Sequence, residues 1–219
     1  MLGLRLNKSG PIRLLCLGAH CDDIEIGCGG TILKLAAAQP EMEVQWIVFS
    51  SDAQRKREAL KSADEFLKNV ANRKAIIHGL RDGFLPYVGA EVKERFEHLK
   101  NDFSPDLILT HYRHDLHQDH RLVSELTWNT FRSHLILEYE IPKYDGDFGS
   151  PNVFVPLEES LSRRKIDTII GNYESQSEKH WFSRELFFSV LRLRGMEANA
   201  PGGYAEGFYC RKAHLQLEV

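Results

Sequence analysis

Two short stretches carry the residues able to do chemistry. The first is His20-Cys21-Asp22-Asp23, followed shortly by Gly29-Gly30. The second runs His111-Tyr112-Arg113-His114-Asp115-Leu116-His117-Gln118-Asp119-His120 and holds four of the chain's ten histidines. Imidazole and carboxylate are ligands for zinc and related divalent ions. A hydrolytic zinc site takes about three protein ligands and keeps one position open for water. It also needs a base beside that water and a donor for the developing oxyanion. The first stretch supplies His20 and two adjacent carboxylates. Consecutive residues leaving a strand point in different directions, so one Asp can ligate while the other faces the water. His117 and His120, three apart, converge on one centre if a helix begins between them.

Each stretch follows an apolar run that reads as a strand, Leu14–Ala19 before the first and Leu107–Thr110 before the second. In an open α/β sheet such strand ends face one crevice, so the two motifs are expected to share a metal. Asp115 and Asp119 fall where carboxylates orient neighbouring histidines through hydrogen bonds; for Asp115 a solvent-facing place is an equal alternative. His111 and His114 read as loop or supporting groups, and Glu25 as solvent-facing. Gly27-x-Gly29-Gly30 imitates a dinucleotide fingerprint but lacks its spacing, and His-Cys-Asp-Asp fills the turn where phosphates would sit.

The positioning elements alternate. Residues 13–19, 43–50, 74–80 and 107–110 are expected strands. The helices between them are one opened by Gly29-Gly30-Thr31 and stopped by Pro40, one after Ser51-Asp52 with Ala59, Ala63 and Phe66 on its apolar face, and Glu91–Asn101. Leu122–Phe131 is a further helix. Short strands at 135–141 and 152–156, helices at 158–172 and 183–194, and a last strand near 208–213 complete the chain. Trp181, Phe182, Phe187 and Phe188 are expected in the core or at an interface. The alternation predicts a single α/β domain spanning 1–219, with a mostly parallel sheet and helices on both faces. Residues 1–12 read as a loose or edge segment.

Composition bounds the remaining possibilities. The 219 residues carry a formal net charge of −3, which leaves no basic footprint for nucleic acid. No apolar run approaches the roughly 18 residues of a membrane span, and the opening residues do not read as a signal peptide. The four cysteines form no CxxC pair. A cytoplasmic chain with reduced thiols is the expectation.

The pattern H-x-D-D with G-G, then H-D-x-H-x-D-H, resembles the PIG-L (LmbE-like) family of zinc-dependent deacetylases. Arg57-Glu58, Asp82, Tyr173-Glu174-Ser175-Gln176 and Tyr204-Ala205-Glu206-Gly207-Phe208 resemble further family elements, so the likeness spans roughly 13–211. It implies a Rossmann-like fold, a Zn2+ cofactor and removal of an N-acetyl group from an N-acetylglucosamine-type glycoconjugate or sugar-nucleotide precursor. It also implies the roles: His20, Asp23 and His120 as metal ligands, Asp22 as general base, His117 as the group that steadies the oxyanion, Arg57 and Asp82 as substrate contacts, with a solvated place on the charged face Arg55-Lys56-Arg57-Glu58 an equal alternative for Arg57. Either Asp22 or His117 would return a proton to the leaving amine. The partner is then a small-molecule amino sugar or glycoconjugate, and a homo-oligomer is compatible with the sequence. The chain departs from the family at Cys21 and Gln118, both commonly Pro. Cys21 is expected to be a harmless exchange, with thiolate ligation as the alternative. A metal-dependent amidase acting on a thiol or other conjugate, and an idle metal-holding scaffold, are the rival functions.

Overall fold

Strand β1 (Arg13–Gly18) lies at the middle of the sheet, buried along nearly its whole length. A computed structural model of the chain describes residues 9–214, with Gly3 and Leu6; most of the expected 1–12 segment lies outside the described residues. After β1 come α1 (Asp23–Ala38), β2 (Glu43–Ser50), α2 (Ala53–Phe66), β3 (Asn72–Leu80), α3 (Gly89–Asp102), β4 (Leu107–His111) and α4 (Gln118–Thr130). Strands β5 (Leu135–Tyr139) and β6 (Val153–Leu157), helices α5 (Glu159–Asn172) and α6 (Arg184–Glu197), and strand β7 (Tyr204–Tyr209) follow. The seven strands order as β3-β2-β1-β4-β5-β7-β6. Strands β1 to β5 are parallel, and β7 runs antiparallel between β5 and β6.

Apolar side chains alternate across the sheet because successive strand residues face opposite sides. Leu14 and Cys16 pack with α1, α2, α5 and α6, through Ile24, Phe66, Ile166 and Leu191. Leu15 and Leu17 pack with α3 and α4, through Phe96 and Val123. Both faces are covered, which is why these strands read as near-continuous apolar runs. The expected α/β sheet with helices on both faces is the fold observed.

Three expected boundaries shift, and each shift bears on chemistry. Helix α1 starts at Asp23, not at the glycine pair. The glycines lie inside it, where side chains crowd the backbone: a Cβ on Gly27 would sit 2.1 Å from the Tyr139 ring, and one on Gly30 2.5 Å from Leu157. Helix α4 starts at Gln118, four residues before the expected Leu122, so His120 is helical and His117 caps the helix. The last strand is Tyr204–Tyr209, earlier than expected. Its Glu206 accepts from Gly30 N at 2.7 Å, Thr31 N at 2.7 Å and Thr31 Oγ1 at 2.6 Å, and pairs with Lys165 Nζ at 2.7 Å. A buried carboxylate with four donors is fully satisfied, and it fastens β7 to α1. Among the described residues no helix is long and apolar enough to cross a membrane.

Candidate metal centre

The strand order places the site. Chain flow turns to opposite sides after β1 and β4, which are neighbours. Ligand crevices in open α/β sheets form at the carboxyl ends of such a pair. The segment after β1 carries His20, Asp22 and Asp23; the one after β4 carries Asp115, His117, Asp119 and His120.

His20 Nδ1 lies 3.0 Å from His120 Nε2 and 3.3 Å from Asp23 Oδ2. His120 Nε2 lies 3.5 Å from Asp23 Oδ1. All three side chains are buried. Tetrahedral zinc with ligand bonds of about 2.0–2.2 Å has ligand–ligand edges of roughly 3.3–3.6 Å, so the donors already approximate one face of that polyhedron.

The far side of each ring sets its tautomer. His120 Nδ1 lies 2.9 Å from Asp115 Oδ2, and His20 Nε2 lies 3.2 Å from Asp119 Oδ2 and 3.1 Å from Asp82 Oδ1. A carboxylate accepts only, so the ring nitrogen beside it carries the proton. His120 Nε2 is left as a lone pair, directed at His20 Nδ1. These two nitrogens and the Asp23 carboxylate converge on one point, which holds either a proton on His20 or, once that proton is displaced, a cation. The donor set therefore fits a divalent metal, and the carboxylate–histidine pairs are the usual support for such ligands.

Electrostatics place the positive charge that the site needs on His20 itself. Burial lowers the basicity of His20, but Asp23, Asp119 and Asp82 outweigh it and hold its pKa well above the ordinary value. Burial, with His111 adding to it, pushes His120 down to about 3, so it stands as a neutral ligand. Burial opposes ionisation of Asp23 as well; the imidazoles of His120, His111 and His20 reverse that and hold it well below the usual carboxylate range.

Asp22 has a different environment. Its Oδ1 accepts from Arg55 Nη2 at 2.8 Å, while Oδ2 is buried with no partner among the described residues. Burial raises its pKa, with Arg55 pulling the other way. His117 is half-buried at the start of α4, its ring 4.8 Å from that of His20 and 4.6 Å from that of His120. Its Nδ1 accepts from Asp119 N at 3.3 Å, leaving Nε2 to carry the proton, and burial followed by the nearby His20 lowers its pKa. Asp82 stands at the mouth with its side chain 57% exposed, bridging His20 and Arg55. Asp119, fully buried, also accepts from Gly83 N at 2.8 Å and Leu85 N at 3.1 Å, which fixes the loop after β3 beside the centre.

The structure brings together every expected site residue except Arg57, which is exposed on α2. Arg55 takes the inward position instead. It lies in line with Ala59, Ser62 and Phe66, the buried stripe of α2, and Arg57 falls on the opposite side of the helix. That spacing is legible in the sequence once the stripe is extended back one turn. Glu58 faces inward too, accepting from Ser175 N at 3.0 Å, so the Arg-Glu and Ser-Gln elements meet there.

One other expectation changes. Glu25 is fully buried, not solvent-facing. Its Oε1 accepts from the Tyr173 hydroxyl, and burial raises its pKa to about 8. His111 is buried as well, accepting from Ala19 N at 2.9 Å through Nε2, 3.2 Å from Asp23 Oδ2. His114 is exposed. Cys21 Sγ points to Ser50 O at 3.5 Å, away from the ligand donors, and burial raises its pKa. No cluster of possible ligands among the described residues includes Cys21. Phe182 and Phe187 are core residues.

A crevice of imidazoles and carboxylates at the turning point of a parallel α/β sheet defines a class of metal-binding α/β proteins. The chain belongs to the PIG-L family: the family model described as GlcNAc-PI de-N-acetylase matches residues 15–131. Three solved structures share the fold. The conserved protein TT1542 from Thermus thermophilus aligns at 18% identity over 93% of this chain and 96% of its own, with a TM-score of 0.73. N,N'-diacetylchitobiose deacetylase from Pyrococcus horikoshii aligns at 22% identity over 90% and 83%, TM-score 0.66. GalB, the 4-carboxy-2-hydroxymuconate hydratase from Pseudomonas putida KT2440, aligns at 15% identity over 95% and 99%, TM-score 0.75. A deacetylase and a hydratase thus share this backbone, so the fold alone does not choose the reaction.

Proposed function

We propose that this protein is a zinc-dependent hydrolase that removes the N-acetyl group from an N-acetylated amino sugar of a glycoconjugate or sugar-nucleotide precursor. His20, Asp23 and His120 would hold the metal. The observation carrying this reading is the convergence of His20 Nδ1 and His120 Nε2, 3.0 Å apart, each with one oxygen of the Asp23 carboxylate within 3.5 Å. Zinc bound there would supply polarisation of the acetamide carbonyl and a water of lowered pKa.

The chain's own groups then have distinct tasks. Asp22 Oδ2 is the unengaged oxygen, and it takes the proton of the attacking water. Arg55 grips the other oxygen and fixes the carboxylate's direction. His117, neutral with its proton on Nε2, donates toward the acetyl oxygen as negative charge grows there. Because His117 is neutral, the proton that reaches the leaving amine comes back from Asp22. Asp82, at the mouth beside Arg55, is placed to meet sugar hydroxyls.

The test is metal content of the purified chain, with acetate release from N-acetylhexosamines, their nucleotide-linked forms and glycoconjugates. About one zinc per chain, with release abolished by a chelator and restored by zinc, is the expected outcome. A chain that takes up no metal on reconstitution would sink the proposal.

A further inference from the structure

We infer that Lys143 is a positioning residue of this centre, its Nζ fixing the Asp115 carboxylate that orients His120. The inference rests on the reading that His120 holds a metal. Sheet register creates the juxtaposition. His111 of β4 pairs with Tyr139 of β5, and Asp115 and Lys143 each lie four residues further on.

Asp115 Oδ2 stands between two donors, His120 Nδ1 at 2.9 Å and Lys143 Nζ at 2.9 Å, while Oδ1 accepts from His117 N at 2.8 Å. Lys143 Nζ is also bonded to Asp147 Oδ1 at 2.7 Å, with Ile141 O at 3.4 Å. Asp147 Oδ2 in turn accepts from Leu116 N at 2.6 Å. Side-chain exposure is 10% for Lys143, 2% for Asp115 and 7% for Asp147.

An exposed ion pair of this kind contributes little. A desolvated one is costly to break, and it holds its members to one geometry. One carboxylate serves His120, His117 and Lys143 together. Without Lys143, Asp115 keeps only His120 Nδ1 and His117 N, and the ring it directs is aimed less firmly. The consequence reaches the ligand nitrogen, although Lys143 touches neither the ligands nor the substrate position. Changes in the partners that orient metal ligands cost about 10–100-fold in metal affinity.

The experiment uses the full chain with zinc or cobalt(II) alone. Zinc affinity is read by competition with a chelator, and ligand geometry by the visible absorption of the cobalt(II) form. Lys143→Met should bind zinc at least about 10-fold more weakly, with an altered cobalt band. Lys143→Arg should restore most of both. Asp147→Asn, which weakens the hold on both Lys143 and Leu116 N but keeps the ammonium opposite Asp115, should lose clearly less zinc affinity than Lys143→Met. Wild-type affinity and spectrum in Lys143→Met would overturn the inference. So would failure of Lys143→Arg to restore them, or an Asp147→Asn chain that reproduces the loss, since loop packing would then explain everything. Should Lys143→Met not fold, Lys143→Gln carries the same comparison. A wild-type chain that binds no zinc overturns the metal reading itself; zinc bound equally by wild type and variant overturns only the role of Lys143.

Discussion

His20 Nδ1 and His120 Nε2 lie 3.0 Å apart, although 100 positions separate them in the chain. His120 Nε2 offers a lone pair there, and His20 Nδ1, held protonated by its carboxylate neighbours, fills the space between them with a proton. A divalent cation bound at this point would displace that proton, which turns one distance into a statement about ligand chemistry. His20→Ala or His120→Ala should therefore lose the bound metal. Elemental analysis after gel filtration decides it, and stoichiometric zinc in either variant would overturn the ligand assignment.

Asp22→Asn should retain zinc and lose turnover by roughly 10²–10⁴-fold, the usual contribution of a general base. Near-normal acetate release would remove Asp22 from that role. Arg55 tests the same carboxylate from its other oxygen. The guanidinium favours the anion, so its removal raises the Asp22 pKa further. In Arg55→Met the acid limb of the pH–rate profile should move to higher pH. An acid limb that stays in place would show that Asp22 does not govern it.

Cys21→Pro should keep both zinc and activity within a few-fold. The thiol's neighbour is Ser50 O, and the Tyr173 hydroxyl uses the Cys21 carbonyl, which proline retains. Loss of zinc in this variant would mean that the thiol ligates after all.

Glu25 should make stability depend on pH. Its folded pKa, about 8, lies above the ordinary 4.5. Between those values the folded chain binds more protons than the unfolded one, so stability falls as pH rises through that window. A one-unit difference in pKa between the two states corresponds to about 1.4 kcal/mol, which places the loss between pH 5 and pH 8 on the order of 3 kcal/mol. Glu25→Gln removes the titration and should flatten this slope. Denaturation midpoints at the two pH values, at equal metal loading, provide the check; an unchanged slope would show that Glu25 does not set it.

By itself the sequence determined the kind of protein. Apolar runs covered on both faces gave the parallel strands. The two histidine- and aspartate-bearing segments at strand ends gave the place where imidazoles and carboxylates gather, because residue type and strand-end position are local properties. Tertiary structure decided which side chains meet. Arg55 replaces Arg57 because the inward face of α2 is fixed by packing against the sheet, and adjacent charges look alike in one dimension. Glu25 changes from a surface to a core residue because α1 begins at Asp23 and is covered by later segments, including Tyr173. Lys143 enters only through the register of β4 with β5. A side chain's role there depends on partners tens of residues away, and no local pattern encodes that pairing.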